Sequence, residues 1–64
     1  MKLTALKKHL RSHDCEEVRD KGKHTFWKNS ETGALTSVPR HNEIPPGTVR
    51  NICQKLGIPI PPGK

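Results

Sequence analysis

Aromatic residues are almost absent from this sequence, which has one Trp, one Phe and no Tyr among its 64 residues. Only 30% of the residues are hydrophobic, which is little for a domain that must build its own core. A chain of this length has room for one small domain, whose core is usually worth about 3–5 kcal/mol. The apolar residues nevertheless recur periodically, which argues against disorder. We therefore expect one folded domain of marginal stability.

Cysteine and long apolar runs are also scarce. Cys15 and Cys53 are too few for a disulfide framework. We expect two reduced thiols that serve as small apolar residues, in a cytoplasmic protein. No apolar run is long enough for a signal peptide or a membrane span, so we expect no membrane contact.

Acidic residues are outnumbered, since 12 Lys and Arg face six Asp and Glu for a net charge of +6. Such a charge attracts polyanions and speeds encounter with them. Nucleic acid is the most common partner of this kind. The alternative is a basic protein that has no polyanionic ligand.

Two segments have the apolar spacing of amphipathic helices. From Lys2 to about His13, leucines recur at helical intervals between basic residues, and Thr4 is a candidate N-cap. A second stripe follows Pro46, and Gly57 lies just past its end. Ile58 is placed to fold back on the last turn in a Schellman closure. The apolar residues of the two stripes are Leu3, Leu6 and Leu10, and Val49, Ile52, Cys53 and Leu56.

Three short strands are predicted between these helices, over residues 15–19, 23–28 and 34–38. Asp20-Lys21-Gly22 is the first turn signal, and residues 29–33 form the second. The fold class is therefore α+β in the order α-β-β-β-α, with a three-stranded antiparallel meander. Two helices would cover one face and leave the other open, as in double-stranded-RNA-binding domains. We assign residues 1–58 to the domain and residues 59–64 to an extended, flexible, Pro-rich tail.

Several pieces of the sequence resemble one known family. The segment 19–24, Arg-Asp-Lys-Gly-Lys-His, is similar to an R-x-K-G-S-H element, and Trp27 follows where that family carries an aromatic residue. Val38-Pro39 followed by His41 is similar to a V-P-x-H strand end, and residues 44–58 resemble the family's last loop and helix. The family is the HicA toxins of toxin–antitoxin pairs, and the resemblance covers residues 3–58.

This resemblance implies a double-stranded-RNA-binding-like fold, an mRNA-cleaving activity that depends on His24, and neutralisation by a HicB antitoxin. Two departures from the pattern stand out. Lys23 replaces the usual Ser, which adds charge beside His24. Asp14-Cys15 replaces the usual Gly and aromatic, which should shrink the core under the first helix.

His24 is our candidate catalytic residue, because histidine exchanges protons near neutral pH. RNA cleavage needs no metal when the 2′-OH attacks its own phosphate. We expect His24 to act as general base or acid, while neighbouring residues hold the phosphate. The alternative is a surface histidine on a basic hairpin. The candidate RNA-binding and phosphate-binding residues are Arg19, Lys21, Gly22, Lys23, His41 and Arg50.

Other histidines and the aromatic pair leave alternatives open. His41 is a candidate second acid or base, although a loop histidine that caps the backbone is the simpler reading. His9 and His13 are spaced i, i+4, but no metal motif accompanies them, so we expect no metal and no other cofactor. Trp27 and Phe26 should face opposite sides of their strand, with Trp27 in the core and the other free to stack on a base or a partner.

Three functions are compatible with these features. The first is an endoribonuclease toxin. The second is a non-catalytic RNA-binding module, and the third is a protein-interaction module with an exposed sheet. The grouping of Lys21, Gly22 and His24 favours the first.

Overall fold

The helices and strands follow one another in the predicted order. A computed structural model of the protein describes residues 1–61, and residues 62–64 of the predicted tail lie outside the described part. Two helices flank a three-stranded antiparallel sheet of order β1-β2-β3, which confirms the predicted fold class. The elements are α1 (Leu3–Ser12), β1 (Cys15–Lys21), β2 (His24–Asn29), β3 (Leu35–Pro39) and α2 (Pro46–Leu56).

The sheet has one buried and one open face, as alternation along β2 shows. Thr25, Trp27 and Asn29 are buried, whereas His24 and Lys28 are exposed. Since side chains alternate along a strand, the first three face the helices and the other two face outward. The prediction that both helices cover one face is confirmed.

The core lies between the helices and the covered face of the sheet. Trp27 is its largest fully buried side chain, which confirms the prediction for this residue. Arg11 of α1 lies 5.3 Å from the Trp27 ring centroid, a cation–π contact. The other buried apolar residues are Leu6, Leu10, Cys15, Val38, Ile44, Val49, Ile52, Cys53, Leu56 and Ile58.

The two thiols are free and buried, as the sequence indicated. Desolvation on burial raises the pKa of both Cys15 and Cys53, and the Asp14 carboxylate raises the pKa of Cys15 further. A raised pKa keeps each thiol protonated, and the thiolate is the reactive form of cysteine. Both residues therefore act as small core side chains.

Helix α1 begins differently from the prediction. Lys2 is the N-cap residue and no side chain caps the helix, so the proposed role of Thr4 was wrong. Backbone pairing replaces the cap, since Lys2 forms an isolated bridge with Glu43 and the Leu3 amide donates to the Asn42 carbonyl at 2.9 Å. The loop before α2 therefore fixes the start of α1.

The turn after α1 contains one of the two departures from the resemblance. Asp14 has a φ of 66°, in the left-handed region that favours glycine, and glycine is the residue that the resemblance implies at this position. Its carbonyl accepts hydrogen bonds from the Ser30 amide at 2.9 Å and the Ser30 hydroxyl at 2.6 Å. These bonds to Ser30, the residue just after β2, hold Asp14 in this conformation.

Replacing Asp14 by Gly should stabilise the protein, because glycine adopts positive φ without the steric cost that a Cβ brings. The cost of left-handed backbone is about 1–2 kcal/mol for an ordinary residue and less for Asp, so we expect a gain of about 0.5–1 kcal/mol. Urea unfolding of both proteins measures it. Asp14→Ala is the matched control and should lower the free energy of unfolding. An Asp14→Gly variant less stable than wild type would show that the Asp14 backbone is not strained.

Helix α2 ends as predicted and is fastened to the sheet. Gly57 has a φ of 70°, the Gly57 amide donates to the Gln54 carbonyl, and the Ile58 amide donates to the Cys53 carbonyl. These two bonds define a Schellman closure, which is confirmed. The buried Asn29 amide donates to the Leu56 carbonyl at 2.8 Å. One end of β2 is thus tied to the last turn of α2.

None of the helices described within residues 1–61 has the length and apolar character needed to cross a membrane.

Candidate functional site

The β1–β2 turn is displaced by one residue from its predicted place. Lys21 pairs with His24, so the two turn residues are Gly22 and Lys23. The prediction of a turn over Asp20-Lys21-Gly22 was wrong, since Asp20 and Lys21 belong to β1, and Lys23 lies in the turn instead of starting β2. Gly22 has a φ of 61°, which a tight hairpin requires at its first turn position.

His24 is the first residue of β2 and lies exposed on the open face. It pairs with Lys21 of β1 and with Pro39 of β3, so it occupies the centre of the sheet next to the hairpin turn. Within residues 1–61 no hydrogen bond engages its imidazole. Both ring nitrogens are therefore accessible for proton exchange with a molecule bound on this face.

A β-bulge decides which residues share the face of His24. Glu17 pairs with Trp27, whereas Arg19 pairs with Phe26, so Val18 is an extra residue in β1. Such a bulge reverses the alternation that follows it. Arg19 and Lys21 consequently lie on the open face, where simple alternation from buried Cys15 would have turned both toward the helices. Together with Lys23 in the turn, they surround His24 with cations, and the structure shows no ion pair for them within residues 1–61.

A polar network fastens the turn, and the sequence analysis did not identify it. The Arg40 amide donates to the Lys23 carbonyl at 3.0 Å, and its guanidinium donates to the Gly22 carbonyl at 3.2 Å. The same guanidinium lies 3.6 Å from the Asp20 carboxylate, which accepts a hydrogen bond from the Thr25 hydroxyl at 3.0 Å. Arg40 thus positions both turn residues. Basic charge was its only signal in the sequence, because the contact joins residues 18 positions apart.

The two remaining predicted residues lie outside the three strands. His41 is exposed and comes two residues after Pro39, which pairs with His24, so it follows the same end of the sheet. Arg50 is exposed on α2, in the helical layer, and does not share the open face.

His9 of α1 and His13, the C-cap residue of that helix, contact one another, with ring centroids 4.7 Å apart. The His9 Nε2 donates to the Pro59 carbonyl at 2.7 Å, which leaves this nitrogen engaged. Among residues 1–61 no group of three His, Cys, Asp or Glu side chains is arranged to hold a metal ion. The open face presents the accessible His24 imidazole among cations, an arrangement suited to binding a phosphodiester.

Comparison with known proteins identifies a family for this chain. The model of one protein family, described as the HicA toxin of bacterial toxin-antitoxin, matches residues 5–58 of the 64-residue chain. No match was found among curated proteins or among solved structures. The matched residues include both helices from Ala5 onward, the whole sheet and the turn beside His24. The chain belongs to the HicA toxin family of toxin–antitoxin systems.

Proposed function

We propose that this toxin is a metal-independent endoribonuclease that cleaves mRNA and is neutralised by a HicB-type antitoxin. The observation that carries the proposal is the exposed His24 on the open sheet face, next to Arg19, Lys21 and Lys23, for which residues 1–61 show no ion pair. An RNA phosphate attracted by those cations would meet an imidazole with both nitrogens free. Family membership supports a toxin role, and this geometry supports the reaction type.

The proposed reaction is attack of a ribose 2′-OH on the adjacent phosphorus. The 2′-O–P bond forms and the P–O5′ bond breaks, which yields a 2′,3′-cyclic phosphate and a 5′-hydroxyl. His24 accepts the proton of the 2′-OH or, as imidazolium, protonates the leaving 5′ oxygen. His41 is the candidate for the complementary transfer.

Phosphate binding would fall to residues around the turn. The Lys21 and Lys23 ammonium groups and the Arg19 guanidinium offset the charge that grows on the phosphorane. Gly22 has no side chain to block the approach of a phosphate to the turn backbone. Arg50, on α2, would contact a phosphate more distant from the cleaved bond.

Incubation of the purified protein with a labelled, structured mRNA in EDTA tests the proposal. We expect cleavage products that end in 2′,3′-cyclic phosphate, and cleavage that weakens as salt rises, because cations that bind phosphate compete with salt ions. Salt-sensitive binding without cleavage would refute the nuclease and leave a non-catalytic RNA-binding module. Cleavage that stops in EDTA and returns with a divalent metal would refute the metal-independent reaction.

The antitoxin part of the proposal has its own test. A HicB-type protein should abolish cleavage at equimolar concentration if it covers the open face, and a complex that leaves the cleavage rate unchanged would contradict it. An mRNA substrate, together with two free thiols, also favours a cytoplasmic location.

A further inference from the structure

A shallow apolar pocket lies on the open face beside His24. Val18, Arg19, Phe26 and Leu35 line it, and its cavity volume is about 320 Å³. Val18 is 46% exposed and Leu35 is 56% exposed, values that are high for large apolar side chains. These side chains are not part of the buried core, so core packing does not explain why large apolar residues stand at these positions.

The β-bulge builds this pocket. As the extra residue of β1, Val18 joins Arg19 on the open face, and Arg19 pairs with Phe26 across the strands. Leu35 closes the other side, from β3. Phe26 is two residues after His24 on the same strand and on the same face, so the pocket is adjacent to the candidate catalytic group. Bulges are common next to active sites, where they redirect side chains.

We propose that this pocket is a nucleobase subsite, in which Phe26 stacks on a base of single-stranded RNA next to the cleaved phosphate. The Arg19 guanidinium contacts the same nucleotide, on its base or its phosphate. This inference rests on the proposed function and gives it a source of substrate preference. Aromatic side chains within a basic surface are the usual platform for unpaired bases.

The charges around the pocket favour a nucleotide over a protein as its occupant. Arg19 belongs to the lining itself, and Lys21 and Lys28 lie on the same face. Among the residues of the three described strands, Glu16 is the one acidic side chain on that face. The three apolar side chains also form a small patch. In a standard protein interface each partner buries roughly 800 Å², which is far more than this patch offers. A flat base fits a pocket of this size and composition.

The test is the affinity of a short single-stranded RNA in which every 2′-OH is methylated, so that it binds without being cleaved. Phe26→Leu should weaken binding about tenfold, the range of one lost stacking contact. Phe26→Tyr keeps the ring and should bind within about twofold of wild type. Ile60→Ala, which removes an exposed apolar side chain after α2, is the matched control and should have no effect.

Two further readouts separate stacking from other causes. The dependence of affinity on salt should be the same for Phe26→Leu and wild type, because no phosphate contact is lost. An oligonucleotide that lacks the base at the nucleotide stacked on Phe26 should bind wild type about tenfold more weakly than the complete oligonucleotide does. Phe26→Leu should not weaken the binding of this abasic oligonucleotide further, because the stacking contact is already lost.

The outcomes distinguish the subsite from the nuclease. If Phe26→Leu binds RNA as wild type does, the subsite is refuted, whether or not the protein cleaves RNA. If Phe26→Leu weakens only the antitoxin complex, the pocket is a protein interface and the subsite is likewise refuted. If Phe26 governs RNA affinity while wild type cuts nothing, the subsite stands and the nuclease fails. Absence of any RNA binding by wild type overturns both.

Discussion

Replacing His24 by Ala should lower the rate of RNA cleavage by about 10²- to 10⁴-fold, the usual contribution of one general acid or base. Of the histidines within residues 1–61, His24 is the one in the sheet, beside Arg19 and Lys21 on the open face. Removal of its imidazole leaves the phosphate-binding groups in place but removes the proton transfer. The affinity for RNA should therefore change little while the rate constant of the cleavage step falls.

The fold should survive this substitution. His24 is exposed, and no hydrogen bond within residues 1–61 depends on its ring. Exposed substitutions of this kind usually change the free energy of unfolding by less than about 0.5 kcal/mol. Loss of activity would then report on chemistry rather than on unfolding.

Single-turnover cleavage rates, with circular dichroism on the same samples, measure the effect. His13→Ala, at the C-cap of α1, is a matched control and should retain full activity. His41→Ala tests the second proton-transfer group. A large fall in the single-turnover rate would assign His41 that role, whereas an unchanged rate would show that His41 takes no part in proton transfer. An H24A variant that cleaves as fast as wild type would refute the proposed mechanism.

Replacing Trp27 by Ala should unfold most of the protein at 25 °C. Trp27 is the largest fully buried side chain, and truncation of such a residue costs about 3–5 kcal/mol. The whole core of a domain this small is worth a similar amount. We therefore expect loss of the cooperative urea transition and of the far-ultraviolet circular dichroism of the folded state.

Trp27→Phe is the informative control for this prediction. Phe keeps most of the apolar volume and removes the indole N–H, which is buried and has no hydrogen-bond partner among residues 1–61. An unsatisfied buried donor costs about 1–3 kcal/mol, which offsets part of the lost packing. The Phe variant should stay folded. A cooperative Ala variant with a midpoint near that of wild type would show that the core tolerates the cavity.

Much of the architecture was determined by the sequence alone. Apolar periodicity placed both helices, and Gly57 with Ile58 located the Schellman closure, because these signals act over one or two turns of chain. Trp27 could be assigned to the core because its position matched an aromatic position of the family. The same motif singled out His24 and the basic residues around it, although their roles stay predictions.

Only the tertiary structure decided how these residues are presented. The sequence does not reveal the bulge at Val18, since the extra residue is defined by the register between β1 and β2. That register shift sets which side of the sheet Arg19 and Lys21 occupy and creates the pocket around Phe26. The Arg40 contacts with the turn likewise join distant parts of the chain. Local patterns specify helices and turns, whereas strand register is settled by packing across the whole sheet.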